Sequence, residues 1–258
     1  MAVDEAMLDA CARGEPGFPC LRLYAWDPPA VSLGHHQEAG CAVDGAALAR
    51  QGIDLVRRLT GGRAVLHAAE LTYSVVGDGR SGVLAGAVMD VYRRISEAIA
   101  SGLQRLGLPA VLSTGERPPA RTSPEPCFAR LGRGEIAVLG RKVAGSVQLQ
   151  RGGCLLQHGS LPLRLDPERL SQATRGSARV AAWGIEAALG RPLLPGELER
   201  ALVAGFEARF EVPVVRGARS AWEEARAAEL MRDRYAMPDW NLRVPPRREP
   251  LGGRRGVA

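Results

Sequence analysis

Residues 57–76 read RRLTGGRAVLHAAELTYSVV, and the fold turns on how this stretch is parsed. The run just before it, IDLVRR (53–58), is apolar and β-branched enough for a strand, and Thr60-Gly61-Gly62 is a turn signal that ends it. Beyond the glycines, RAVLH (63–67) and ELTYSVV (70–76) are two strand-like runs close enough to pair as a hairpin. Paired glycines let a backbone approach a ligand and leave amide groups free to point at it. A glycine turn between solvated arginines is the commoner meaning of such a pair. Here Arg58, Thr60, Arg63 and His67 crowd around Gly61 and Gly62, which marks the turn as a candidate binding loop.

Working outward, residues 2–13 have the pattern of a short amphipathic helix. CLRLYAW (20–26) and AVSLG (30–34), separated by Asp27-Pro28-Pro29, read as a strand pair, and Asp44 caps a helix over 44–51. The clearest helix spans 83–106, where Leu84, Val88, Val91, Ile95, Ile99, Leu103 and Leu106 recur at spacings of three and four. Arg94, Glu97, Gln104 and Arg105 take the other side, so this helix should lie across a sheet. A proline-rich connection at 117–126 leads to three more strand-like runs, EIAVLG, KVAGSVQLQ and GCLLQHGSLPL. From Asp166 the pattern is helical, with segments expected at 167–174, 178–189, 196–209 and 219–234. Strands and helices mix without regular alternation, so the expected class is α+β, with a mixed, mostly antiparallel sheet flanked by helices. One domain over residues 1–242 and a basic, disordered tail over 243–258 complete the expectation.

Composition narrows the function. With 258 residues, 46% hydrophobic and 24% charged, the chain has globular proportions. No apolar run approaches the roughly 18–20 residues of a membrane-spanning helix, and MAVDEAMLDACARG lacks a basic segment followed by a hydrophobic one. A cytoplasmic protein with no membrane partner is expected. The five cysteines are odd in number and contain no C-x-x-C pair, and no H-E-x-x-H occurs, so neither a disulfide scaffold nor a metal site is expected. The net charge of +6 comes from dispersed arginines, part of them in VPPRREPLGGRRGVA at the end, so no nucleic-acid partner is expected.

Among 34 basic residues only Lys142 is a lysine, and Asn241 is the only asparagine. A GC-rich genome explains the bias, and under it a surviving lysine suggests a position that arginine does not fit. Arginine is a wide planar fork, whereas lysine is a compact point charge that enters a narrow pocket. Lys142 lies in GRKVAGSVQLQ (140–150), at a strand edge followed by Gly145 and Ser146, a setting that serves substrates with developing negative charge. LLQHGSL (155–161) places His158 before a Gly159-Ser160 turn, where bonding to backbone in a core turn is the favoured role over positioning a substrate. His35 and His36 read as loop residues. Cys127 ends the proline-rich connection in PEPCF; a small buried hydrophobe is its commoner role, and a nucleophile would need a nearby cation to favour the thiolate.

Together these segments resemble the catalytic domain shared by biotin ligases, lipoate-protein ligases and octanoyltransferases. The resemblance rests on MAVDEAMLDA, YAWDPPAVSLGHHQ, RRLTGGRAVLH with ELTYS, PCF, GRKVAGSVQLQ and LLQHGSL, in that order, over residues 1 to 163, with a weaker echo at RYAMPDWN (234–241). It implies the fold of class II aminoacyl-tRNA synthetases and biotin synthetases. Within the group the chain is most similar to cysteine-dependent octanoyltransferases, which place the acyl-accepting cysteine of a C-F dipeptide 15 residues before the lysine, as Cys127 stands to Lys142. Two features depart from that pattern: ARLGRGE (129–135) stands where the family usually carries a proline and serine after C-F, and relatives tend to have an extra strand before the segment aligned with Met1, the loss of which would expose a sheet edge.

The resemblance implies a Cys127 thioester formed from octanoyl-acyl carrier protein, a thiolate favoured by Lys142, and oxyanion stabilisation by amides at the Gly61 and Gly145 turns. It further implies substrate contacts from Arg58, Thr60, Gly61, Gly62, Arg63, His67, Gly145, Ser146, Gln148, His158 and Gly159. The acceptor would be a lysine of a lipoyl domain or of glycine-cleavage H protein, with no cofactor and a monomeric enzyme. ATP and Mg enter only if the chain is a lipoate-protein ligase. An amidotransferase between protein domains and a non-enzymatic acyl or lipoate sensor are the other readings.

Overall fold

The computed structural model describes residues 1–115, 131–175 and 182–244. Cys127, the proline-rich connection and the tail from residue 245 lie outside them. In chain order the elements are α1 (Ala2–Ala12), β1 (Cys20–Tyr24), β2 (Ala30–Leu33), α2 (Ala39–Ala42), α3 (Gly45–Arg50), β3 (Asp54–Arg57), β4 (Val65–His67) and β5 (Glu70–Asp78). There follow α4 (Val88–Arg105), β6 (Ala110–Leu112), β7 (Ile136–Val138), β8 (Arg141–Lys142), β9 (Gly145–Arg151) and β10 (Cys154–Pro162). The chain then turns helical through α5 (Pro167–Ala173), α6 (Ile185–Leu189), α7 (Glu197–Phe210), α8 (Ala221–Leu230) and α9 (Pro238–Leu242), with one π turn at Met231–Tyr235.

The strands form an antiparallel sheet in the order β1-β5-β10-β9, a mixed sheet β3-β2-β4 and a small sheet β6-β7-β8. The α+β expectation holds, but two pairings differ from it. β4 and β5 are not a hairpin: β4 pairs with β2, while β5 pairs with β1 and β10. β1 and β2 likewise belong to different sheets. The reason lies in β5, which is buried along all but its last residue and therefore needs a neighbour on each side and a layer on each face. The short β4 alternates and suffices for an edge.

Helix α4 starts at Val88, later than its periodicity suggests, because a single 3-10 turn at Gly82–Leu84 buries Leu84 first. Its stripe of Val91, Ile95, Ile99 and Leu103 packs on Leu155, Leu161 and Tyr73 of the long sheet. The second layer over it is α7, and the two helices meet through glycine. A Cβ at Gly205 would stand 2.4 Å from Ala98 O, and one at Gly102 would stand 2.8 Å from Ala201 O. Of the remaining helices, the Asp44 cap is present, its side chain accepting from Ala47 N; the segment expected at 178–189 lies partly outside the described residues, and its described part from residue 182 is helical at Ile185–Leu189. No helix among the described residues is long and apolar enough to cross a membrane.

Helix α1 does not present its acids to water as an amphipathic surface helix would; Asp4 and Glu5 are buried with Ala6, Met7, Leu8 and Ala10. Asp4 accepts from Arg22 Nη1 (2.7 Å), Tyr24 Oη (3.1 Å) and Ser74 Oγ (3.0 Å), and lies 3.3 Å from His158 Nδ1. Glu5 accepts from Arg151 Nη1 (3.0 Å), Tyr235 Oη (2.8 Å) and Arg234 Nη1, and Asp9 from Arg226 Nε (3.0 Å) and Arg151 Nη2. One helix thereby ties β1, β5, β9 and β10 to α8 and the π turn.

Gly205→Val should lower stability by about 3 kcal/mol, since the backbones of α4 and α7 leave no room for a side chain, and a urea melt reads it. Burial opposes ionisation of Asp4, but the hydrogen bond from His158 and the nearby cations outweigh it and hold its carboxyl well below the ordinary range. A depressed acid contributes stability that is full above its unfolded pKa of about 4 and lost as pH falls through its folded value. The urea midpoint should therefore drop between pH 7 and pH 3, and Asp4→Asn should shrink that drop.

Candidate active site

The loop from Arg57 to Arg63 is built around two buried arginines that donate to backbone carbonyls. Arg57, fully buried, donates to the carbonyls of Gly34 (2.9 Å), Gln37 (2.7 Å), Trp240 (3.0 Å) and Asn241 (3.1 Å). Its own amide donates to Asn241 Oδ1 at 2.9 Å, and Asn241 Nδ2 donates to Tyr235 O, so the sole asparagine joins the last helix to this loop. Arg58 donates to Ser32 O (2.9 Å), Ser32 Oγ (3.0 Å), Gly61 O (2.8 Å) and Arg63 O (2.8 Å), closing the turn on itself. Gly62 has φ +89°, and its carbonyl would lie 2.0 Å from a Cβ at Gly34, so the turn requires glycine on both sides.

A narrow cleft with about 30 Å³ of free volume opens beside this loop, bordered by Ser32, Arg58, Val65, His67, Thr72, Gly145, Val147, His158, Gly159, Ser160 and Met1. A larger hollow of about 550 Å³ between α1 and α8 touches none of the expected site residues. Two histidines face the cleft, each fixed by an acid on one ring nitrogen and a hydroxyl on the other. His158 is not in a Gly-Ser turn bonding to backbone, as its sequence context suggests, but mid-strand in β10, where the 154–162 run continues unbroken. Its Nδ1 lies against Asp4 and its Nε2 lies 2.7 Å from Thr60 Oγ1. Burial holds its pKa below the ordinary histidine value despite Asp4.

His67 has the same construction. Nδ1 lies 2.6 Å from Glu70 Oε1, and Nε2 lies 2.7 Å from Ser32 Oγ. Glu70 also accepts from the hydroxyls of Thr72 and Ser160, so the carboxylate is an acceptor only and His67 donates to it through Nδ1. Nε2 is then the acceptor for the Ser32 hydroxyl. Trp26 stacks on the ring, with centroids 4.3 Å apart, and donates to Thr72 Oγ1 at 2.9 Å.

The expected residues divide between places. Arg58, His67, Gly145, His158 and Gly159 border the cleft, while Thr60, Gly61, Gly62 and Arg63 form the loop behind it. Strand alternation sends Ser146 and Gln148 to the other face of the sheet, toward α4. There Tyr73 Oη donates to Ser146 Oγ (2.7 Å) and accepts from Gln157 Nε2 (3.1 Å). Both polar atoms of the Gln148 amide and Oε1 of Gln157 opposite it are buried without a hydrogen-bond partner. Each such group costs about 1–3 kcal/mol, which a polar group of a bound ligand would offset.

Lys142 is on the edge strand of the small sheet and is 1% exposed. Its Nζ donates to Glu135 Oε1 at 2.6 Å, and its carbonyl accepts from Trp183 N. The other oxygen of Glu135 accepts from Gly132 N at 2.7 Å, so the acid is anchored in the ARLGRGE segment and orients the lysine. The slot fits a slim ammonium, in keeping with the lone lysine. Glu135, Asp4, Glu70 and Ser32 were not singled out from sequence. Asp4 and Ser32 sit inside quoted motifs, whereas Glu135 has no signal beyond standing where the family pattern is interrupted.

Residues 1–207 match the family model described as the lipoyl protein ligase A/B catalytic domain. Octanoyltransferases LipM of Symbiobacterium thermophilum and Kyrpidia tusciae are each 40% identical to the chain over 94% of it and 93% of their own length. A T. acidophilum structure described as a lipoate protein ligase with bound lipoic acid superposes with a TM-score of 0.78 at 26% identity, covering 93% of both chains. A lipoate-protein ligase A structure bound with ATP gives the same TM-score and identity over 94% of both chains. The matched length, the identities and the shared fold agree: the chain is an acyltransferase that belongs to the lipoyl protein ligase A/B catalytic-domain family.

Proposed function

We propose that this enzyme moves an octanoyl group from octanoyl-acyl carrier protein, through a thioester on Cys127, to a lysine of a lipoyl domain or glycine-cleavage H protein, acting as a monomer without ATP. The observation that carries the reading is the buried Lys142–Glu135 pair, a lysine kept in a narrow slot by a chain that otherwise uses arginine. The LipM relatives, octanoyltransferases by name, support the acyl group.

The chemistry follows from the residues. A nearby ammonium favours a thiolate, and in this reading Lys142 does so for Cys127, whose thiolate attacks the thioester carbon of the donor. The carbonyl oxygen becomes an oxyanion held by amides at the Gly61 and Gly145 turns; as it collapses, the bond to the carrier's sulfur breaks, and that sulfur takes up the proton released when Cys127 ionised. The acceptor amine then attacks the acyl-enzyme, the C–N bond forms and the bond to Cys127 breaks. A thioester is already activated, so no adenylation step is required. The net charge of +6 steers acidic carrier proteins toward the enzyme.

The ATP-bound lipoate-protein ligase A neighbour favours a second reading, in which Lys142 and the glycine turns bind an acyl-adenylate made from ATP and Mg. Intact-protein mass spectrometry after mixing with octanoyl-acyl carrier protein, without ATP, separates the two. The expected result is one octanoyl group, labile to hydroxylamine and absent in Cys127→Ala. Transfer that appears only with ATP and free acid would assign the ligase chemistry instead. Lys142→Arg should slow acylation by about 10²-fold or more, because the guanidinium cannot replace the ammonium in its slot.

A further inference from the structure

We propose that Ser32, His67 and Glu70 form a proton relay that deprotonates the acceptor lysine, an inference that rests on the acyl-transfer reading above. An acceptor lysine with a pKa of about 10.4 arrives as an ammonium and cannot attack until it loses a proton. In that reading Cys127 and Lys142 serve the first half of the reaction, and once the sulfur of Cys127 carries the acyl group it has no thiolate with which to take this proton.

The geometry supplies one. Ser32 Oγ, His67 Nε2, His67 Nδ1 and Glu70 Oε1 are linked in series at 2.7 and 2.6 Å, and Ser32 and His67 both border the cleft. A serine hydroxyl offers one donor and two acceptor positions. Ser32 donates to His67 and accepts from Arg58 Nη1 at 3.0 Å, which leaves one acceptor position for an incoming N–H. The parallel chain Thr60–His158–Asp4 differs in that Thr60 does not border the cleft, so that chain braces the loop.

In the relay an ammonium proton passes to Ser32 Oγ as the hydroxyl proton passes to His67 Nε2, giving an imidazolium stabilised by Glu70. The neutral amine attacks the acyl carbon, its second proton goes to the departing sulfur of Cys127, and His67 returns its proton through Ser32 once product has left. Ser32 is the residue that touches substrate; His67 and Glu70 act through it.

The test uses preformed octanoyl-enzyme of wild type, Ser32→Ala, His67→Gln and the near-isosteric Glu70→Gln. Each is discharged by a lipoyl domain and, separately, by hydroxylamine, which is already neutral at pH 7. The relay requires the ratio of the two rates to fall by about 10²-fold in the variants, the usual size of a general-base contribution. Hydroxylamine discharges a thioester without a base, so its rate counts the intact acyl-enzyme, and a urea midpoint equal to wild type in each variant separates loss of the relay from loss of structure. An unchanged ratio in Glu70→Gln and Ser32→Ala overturns the relay. Failure of the wild type to form any octanoyl-enzyme overturns the underlying transfer reading, and the relay with it.

Discussion

The carboxylate of Asp4 is the point on which the rest of the structure turns. A buried anion is costly unless it is matched by donors, and Asp4 is matched from β1 twice, from β5 once and from β10 through His158. No two of those strands could shift relative to one another without breaking a bond to it. Because His158 reaches from Asp4 to Thr60, the same anion also sets the loop that carries the paired glycines. The scaffold and the site are therefore one hydrogen-bonded body rather than a site laid over an independent core.

Arginine is used here as a structural cation. Arg57 and Arg58 are buried against carbonyls at the ends of strands and turns, where a planar fork of five donors satisfies several acceptors at once. Arg22, Arg151, Arg226 and Arg234 converge on the acids of α1. Lys142 is the exception, a compact ammonium buried in a slot against Glu135. The two acid-histidine-hydroxyl chains show the same economy of design: identical local chemistry, with one hydroxyl facing the cleft and the other facing the loop.

Much of this was legible in the sequence. The motif order, the sole lysine and the amphipathic 83–106 stretch led to the α+β class, to Lys142 and to the helix across the sheet. The sole asparagine is structural: Asn241 accepts from the Arg57 amide through Oδ1 and donates to Tyr235 O through Nδ2. The hairpin expected at 63–76 was not formed, because proximity in sequence is a weaker constraint than the double-sided burial of β5.

What the sequence by itself determined is the set of groups: which residues are apolar in helical or strand period, where the glycines permit close approach, and which charged types are rare. Those properties are local, carried by side-chain chemistry and backbone freedom. Only the tertiary structure decided the pairings, that Glu135 would hold Lys142, that Glu70 would meet Ser32 through His67, and that β9 would send Gly145 and Gln148 to opposite faces. These depend on strand register and on matching buried charges across sheets. Both are set by contacts between residues distant in the chain, and no local pattern encodes them.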